Sequence, residues 1–127
     1  METKTLTKAE LQLMKHLWKI EKGFMKDIVE QFSEPKPAYT TIATLVGRMV
    51  DKQYIGFEKL GRDKLYFPLL KKSTYFKSQL KEMTSDFFNG SSSQFASFFT
   101  KNADFNLEEL KQLQEILQQE INQKKKK

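Results

Sequence analysis

The sequence predicts a mainly α-helical protein (α+β) with one β-hairpin and two lobes. Apolar residues recur at helical spacing through the first 52 residues and again from residue 73 onwards. Between these stretches, Tyr54–Glu58 and Lys64–Pro68 are rich in aromatic residues and flank a glycine-containing turn, which is typical of a hairpin. A chain of 127 residues allows one domain or two lobes of about 60 residues, each of marginal stability alone.

Three helices are predicted before the hairpin. Thr7 and Glu10 have the spacing of a capping box and begin a first helix that runs to about Ile20. A short second helix ends before the segment 33–37, where two prolines prevent helix continuation. The third helix runs from about Ala38 to Lys52.

The third helix has two different faces. Its apolar stripe consists of Ile42, Leu45, Val46, Met49 and Val50. The opposite face is small and hydroxylated and ends in one cation; its candidate DNA-contacting residues are Tyr39, Thr40, Thr41, Ala43, Thr44 and Arg48. Threonine is a poor helix former, so a purely structural surface helix would more often carry Glu and Lys here. Such a face suits a helix that enters the DNA major groove.

The hairpin follows this helix with basic residues near its tip. Three helices followed by such a hairpin is the element order of a winged helix-turn-helix, which we expect to span residues 1–70. Arg62 and Lys64, together with Lys59, are candidates for contacts with DNA phosphates; the alternative is an ordinary solvated turn. Tyr66 and Trp18 are expected to pack against the lobe, and His16 to lie on the surface.

The rest of the chain predicts a three-helix lobe over residues 71–123 and a disordered lysine tail over 124–127. These helices carry more Phe and Leu than they can easily enclose, and such a segment usually packs against a copy of itself, so we expect a homodimer. The candidate dimerisation residues are Phe87, Phe88, Phe95, Phe98, Phe99, Leu110, Leu113, Leu117 and Ile121.

Composition excludes several classes of function. The chain has no Cys and one His, which argues against disulfides, thiolate chemistry and histidine-rich metal centres. Nucleotide-binding and hydrolase motifs are absent, so we expect neither an enzyme nor a cofactor. No apolar run approaches membrane-spanning length, and we expect a soluble cytoplasmic protein without membrane insertion. The net charge of +6 favours nucleic acid as the partner.

Two other functions fit the same patterns. The first is a module whose winged helix docks another protein and has little affinity for DNA. The second is an architectural protein that binds DNA without sequence preference, mainly through Lys124–Lys127.

Four stretches, in order, resemble the penicillinase repressor family of winged-helix repressors. Leu6-Thr7-x-Ala9-Glu10-x-x-x-Met14-x-x-x-Trp18 is similar to its first helix, and Thr41-Ile42-x-Thr44-Leu45-x-x-Arg48-Met49 is similar to its recognition helix. Gly61-Arg62-x-x-x-Tyr66-x-Pro68 resembles its wing, and the likeness continues through Phe88-x-Gly90 and Leu107-Glu108-Glu109-Leu110 to about Ile121. The resemblance therefore covers nearly the whole chain.

The resemblance implies a homodimer that represses genes from a palindromic operator with TACA/TGTA-like half-sites, and in which the C-terminal helices form the dimer interface. Thr41, Thr44 and Arg48 match DNA-contacting positions of the family, whereas Thr40 and Ala43 depart from its longer polar residues. A signal acting on the C-terminal lobe would release the repressor from DNA.

The resemblance also implies which signals could release the repressor from DNA. Antibiotic-responsive members are cleaved at an Asn–Phe bond, and the aligned pair here is Phe98-Phe99, in which the Asn is absent. This departure leaves the inducing signal open, with the Phe98-Phe99 bond as a cleavage candidate and a sensor-protease as a candidate upstream partner. Copper-responsive members carry C-terminal cysteines, which this chain lacks.

Overall fold

The computed structural model describes residues 5–126, which form six helices and two strands. In chain order these are α1 (Lys8–Ile20), α2 (Met25–Glu30), α3 (Tyr39–Asp51), β1 (Ile55–Leu60), β2 (Asp63–Pro68), α4 (Lys72–Phe88), α5 (Ser92–Asn102) and α6 (Leu107–Lys125). The predicted mainly helical α+β fold, with three helices followed by a hairpin, is confirmed.

Local capping interactions begin two of the helices as the sequence predicts. At α1, Thr7 Oγ1 accepts a hydrogen bond from Glu10 N–H at 3.2 Å, and the Glu10 carboxylate accepts one from Thr7 N–H at 2.9 Å. Asn106 and Glu109 make the same pair of bonds at the start of α6. Each box satisfies backbone N–H groups that the helix itself leaves without partners.

The chain divides into two compact units, the first ending at Leu80 and the second beginning at Lys81. The division falls within α4, whereas the sequence placed the lobe boundary after Leu70. At the C-terminus, α6 continues through Lys124 and Lys125, where we expected a disordered tail; lysine is a good helix former, and its charge is favourable at a helix C-terminus. Lys127 lies outside the described residues.

The first unit has a closed apolar core made by α1, α2, α3 and the hairpin. Its fully buried side chains are Leu13, Met14, Leu17, Ile28, Ile42, Val46, Met49 and Ile55. Tyr75, from the start of α4, completes this core, and its hydroxyl accepts a hydrogen bond from Leu6 N–H at 3.0 Å. The core therefore holds α3 by one face and leaves the other in solvent.

The hairpin is tighter than predicted. β1 and β2 pair antiparallel from Ile55 opposite Pro68 to Leu60 opposite Asp63, so only Gly61 and Arg62 form the turn. Gly61 has φ +65°, a conformation that glycine adopts without steric cost, which allows a two-residue turn. Tyr66 pairs with Gly23 through two backbone hydrogen bonds of 2.8 and 2.9 Å, and this pairing ties the hairpin to the segment before α2.

Trp18 lies where the sequence predicts it, whereas His16 is less exposed than expected. Trp18 packs against the core as predicted, and its Nε1–H donates to Leu70 O at 2.8 Å. His16 was expected on the surface but is half-buried: its Nε2 is buried without a hydrogen-bond partner among the described residues, and its ring meets the Phe32 ring edge-on at 4.5 Å. The Phe32 ring, just beyond α2, covers the His16 ring. The helical spacing of α1 alone does not predict this contact.

The second unit has no closed core. None of the described residues from 81 to 126 is buried, although aromatic rings contact one another along the segment. Phe88 lies 5.7 Å from Phe95 and 5.8 Å from Phe98 between ring centroids, and Phe99 lies 5.2 Å from Phe105. Asn89 and Gly90 both have positive φ and end α4, which is a common way for a helix to terminate.

Candidate nucleic-acid interface

Helix α3 presents the predicted polar face to solvent. Ile42, Val46 and Met49 are buried on its inner side. Thr40, Thr44 and Arg48 are exposed at successive turns of the outer side, and Thr41 is exposed next to them. This spacing produces a stripe of short hydroxyl side chains that ends in a guanidinium group.

The two other predicted residues of α3, Tyr39 and Ala43, lie at the margins of its polar face. Tyr39, in the first turn, is 57% exposed, whereas Ala43 is half-buried on the border of the polar face. The N-cap residue Ala38 has no side chain that can accept the first free N–H groups of the helix. These donors therefore stay available to an anionic partner such as a phosphate.

The tip of the hairpin and the start of α3 border one hollow of about 570 Å³. Tyr39, Arg62 and Lys64 all line it, so the structure brings these three predicted residues together on one surface. Asp63 also lines it and is the one carboxylate among these residues. Burial raises the pKa of the Tyr66 hydroxyl at its base, and the nearby Tyr39 raises that pKa further.

Lys26 also lines this hollow and was missed by the sequence analysis. It lies in the first turn of α2, where the helix dipole disfavours a cation, so its position there suggests a role other than helix stability. The sequence does contain a signal for it, namely a lysine at the start of the helix that precedes α3. It gives the hollow a third cation besides Arg62 and Lys64.

The hairpin itself holds two like charges side by side. Lys59 and Lys64 are direct cross-strand partners, an arrangement that destabilises a sheet unless an anion lies nearby. Lys64 Nζ lies 4.5 Å from the centroid of the Phe57 ring, which fixes the position of its charge. The hairpin thus presents two neighbouring cations, one of them held over an aromatic ring.

The remaining candidate residues belong to the second unit. Phe87, Phe98, Phe99, Leu110, Leu117 and Ile121 are exposed large apolar side chains, while Phe88, Phe95 and Leu113 are half-buried. The bond between Phe98 and Phe99 lies inside α5, with both side chains largely exposed.

Among residues 5–126, no three His, Asp or Glu side chains come together in a group that could hold a metal ion. Within the same residues, every helix is too short or too polar to cross a membrane.

The fold of the first unit, with its solvent-facing α3 and basic hairpin, defines a winged helix-turn-helix protein of the DNA-binding class. The penicillinase repressor family model matches residues 6–119. The chain belongs to the penicillinase repressor family and is thus a DNA-binding transcriptional repressor.

Two individual proteins show the same similarity. The penicillinase repressor of Bacillus licheniformis is 27% identical over 121 residues, which cover 94% of each chain. A solved CopR repressor structure is 32% identical with a TM-score of 0.45, and the match covers 54% of this chain and 100% of that one.

Proposed function

We propose that this protein is a homodimeric repressor that binds a palindromic operator and is released by a signal acting on its second unit. The observation that carries the proposal is the exposed stripe of Thr40, Thr44 and Arg48 on α3, next to the basic hairpin. A helix held by one face with small polar groups on the other can lie deep in a major groove.

The side chains of α3 and those of the hairpin suit different contacts with DNA. Thr41, Thr44 and Arg48 of α3 would contact base edges and flanking phosphates, with Arg48 offering two donors to a guanine or a phosphate. Arg62 and Lys64 would grip the backbone beside the groove, as would Lys26. Base contacts would supply specificity, and the hairpin cations would supply affinity that depends on salt.

The absence of any buried residue among residues 81–126 supports dimerisation. A unit of this size with exposed Phe and Leu side chains gains too little from burial to be stable alone. Pairing two copies would cover the candidate dimerisation residues and hold two copies of α3 on one DNA molecule. The second half-site contact then becomes effectively intramolecular, so two weak contacts give one tight complex.

Release would follow from any change that separates the two second units. Cleavage at Phe98-Phe99 by a sensor-protease is one such change, because it would cut α5 in the middle of the exposed aromatic surface. Each winged helix would then bind its half-site alone, with the affinity of a single module. The structure of α3 itself need not change.

The decisive experiment is fluorescence anisotropy of a labelled duplex from the gene's own upstream region, titrated at several salt concentrations with excess unrelated DNA. The proposal predicts saturation at two protomers per duplex, resistance to competitor, and a linear fall of log affinity with log salt. Binding that competitor abolishes would favour an architectural DNA binder, and no binding at low salt would favour a protein-interaction module.

Replacing the cation of α3 tests its assigned role. Arg48→Ala should weaken operator binding by about 1–3 kcal/mol, because it removes a charged two-donor contact. Lys101→Ala, which removes the same charge from an exposed site in the second unit, is the matched control and should leave affinity nearly unchanged. Equal affinity of the Arg48 variant and the unmodified protein in the anisotropy titration would contradict the assignment.

A further inference from the structure

A second hollow of about 700 Å³ lies on the first unit, between α1 and the start of α4. Leu11 and Trp18 of α1 and Tyr75 and Phe76 of α4 form its apolar wall. Its size falls in the range of small-molecule sites, which are mostly apolar with a few polar groups. We call it the α1–α4 groove.

The aromatic wall of the α1–α4 groove is held in place by hydrogen bonds. Trp18 Nε1–H donates to Leu70 O at 2.8 Å, and the Tyr75 hydroxyl accepts from Leu6 N–H at 3.0 Å. The two ring centroids are 6.2 Å apart. Because the Trp18 N–H already has a partner, its ring contributes apolar surface to the groove. A wall fixed in this way loses little entropy when a ligand packs on it.

The charges around the α1–α4 groove all have one sign. Lys15 and Lys19 of α1 and Lys72 of α4 line it and are exposed, and none of the described residues that line it is acidic. The apolar hollow around Phe88 and Phe95 in the second unit is nearly as large, about 630 Å³, but no charged side chain lines it. Three lysines beside an aromatic wall therefore distinguish the α1–α4 groove from a general apolar surface.

We propose that the α1–α4 groove binds a small amphipathic carboxylate. Its apolar body packs on Trp18, Tyr75 and Phe76, and Phe76, which is 65% exposed, gains most from being covered. Its carboxylate accepts charge-assisted hydrogen bonds from the lysines at the rim. A neutral ligand of the same shape would leave these three like charges without a counter-charge.

The single tryptophan of the protein lies in this wall, so its fluorescence reports directly on occupancy. Decanoate, below its micelle concentration, is titrated into the full-length protein while Trp18 emission is followed, with decanol as the neutral analogue. We expect a saturable change with decanoate and at least tenfold weaker binding of decanol. Equal binding of the two compounds, or no change with decanoate, would overturn the proposal.

A triple variant tests the charged rim. Lys15→Gln, Lys19→Gln and Lys72→Gln together should weaken decanoate binding at least tenfold, whereas Lys77→Gln, Lys101→Gln and Lys111→Gln remove the same charge elsewhere and should not. All six lysines are exposed, so both variants should fold, which circular dichroism checks. Unchanged binding by the first variant would refute the assignment. Decanoate binding that weakens as the protein concentration rises would also refute it, because a second copy would then compete for the groove.

Discussion

At the scale of single residues, the buried carboxylate of Glu10 joins two distant parts of the first unit. It caps α1 through Thr7 and also accepts a hydrogen bond from Lys52 Nζ, at 2.6 Å, just after α3. Burial by itself raises the pKa of Glu10, but the bonds from Lys52 and Thr7 outweigh it and hold the pKa below its ordinary value of 4.5. The ion pair therefore fixes the end of α3 to α1.

This pair predicts an acid-sensitive contribution to stability. Since the pKa of Glu10 is lowered on folding, the unfolded chain binds the proton first, and stability falls as pH drops below about 4.5. Glu10→Gln keeps a side chain suited to the capping box but loses the charge, and it should cost about 1–2 kcal/mol at pH 7. Urea unfolding at pH 7 and pH 3.5 checks this, and an equal loss at both pH values would contradict it.

The half-buried His16 leads to a separate prediction at mildly acidic pH. Burial, and then the positive charge of Lys19, lower its pKa below the ordinary value of 6.5, so the folded protein favours the neutral ring. The unfolded chain therefore takes up the proton first, and stability should fall as pH drops below about 6.5. We expect a lower melting temperature at pH 5.5 than at pH 7.5, and a smaller difference for His16→Leu. An unchanged difference in this variant would assign the effect to another group.

At the scale of elements, two glycines near the candidate DNA-contacting surface should respond oppositely to alanine. A Cβ at Gly47, on the exposed side of α3, meets no atom within 4 Å, and Gly47→Ala should stabilise the helix by about 0.5–1 kcal/mol. Gly61 has φ +65°, so Gly61→Ala should destabilise the hairpin turn by about 1 kcal/mol or more. Thermal unfolding of both variants checks the signs, and a shift in the same direction would contradict this account of α3 or the turn.

The elements could be predicted wherever the relevant interactions are local in sequence. The capping boxes at Thr7 and Asn106 and the stop at Gly90 depend on residues within three positions of one another. The contact between Glu10 and Lys52 spans 42 residues and depends on how α1 and α3 pack, which no local pattern encodes. The burial of His16 likewise depends on Phe32, which lies beyond the end of the neighbouring helix.

The candidate site was predictable to a similar extent. The polar face of α3 follows from helical periodicity, so Thr40, Thr44 and Arg48 could be singled out from the sequence. Lys26 could not be grouped with Arg62 by periodicity, because their proximity arises from the packing of α2 against β2. The length of the turn could not be predicted either, because Lys59 and Asp63 are compatible with either a loop or a strand.

At the scale of the whole molecule, the two units differ in what stabilises them. The first buries a continuous core, including Leu13, Leu17 and Ile55, and the candidate DNA-contacting face of α3 lies on its outer surface. The second exposes most of its apolar side chains, so its stability should depend on protein concentration if pairing supplies the missing burial. Assembly and DNA affinity are then coupled, because each dimer presents two copies of α3.

A charge placed on the apolar stripe of α6 tests this coupling. Leu117 is 63% exposed in the single chain, so Leu117→Glu should leave the first unit folded while it introduces a charge into the proposed dimer interface. We expect sedimentation equilibrium to show monomers at concentrations where the unmodified protein is dimeric. The variant should also lose at least tenfold in affinity for a two-half-site duplex and little for a single half-site.

Gln112→Glu introduces the same charge on the opposite face of α6 and should remain dimeric. A Leu117→Glu protein that stays dimeric and binds the full duplex normally would rule out this face as the interface, and loss of half-site binding would show damage to the first unit instead.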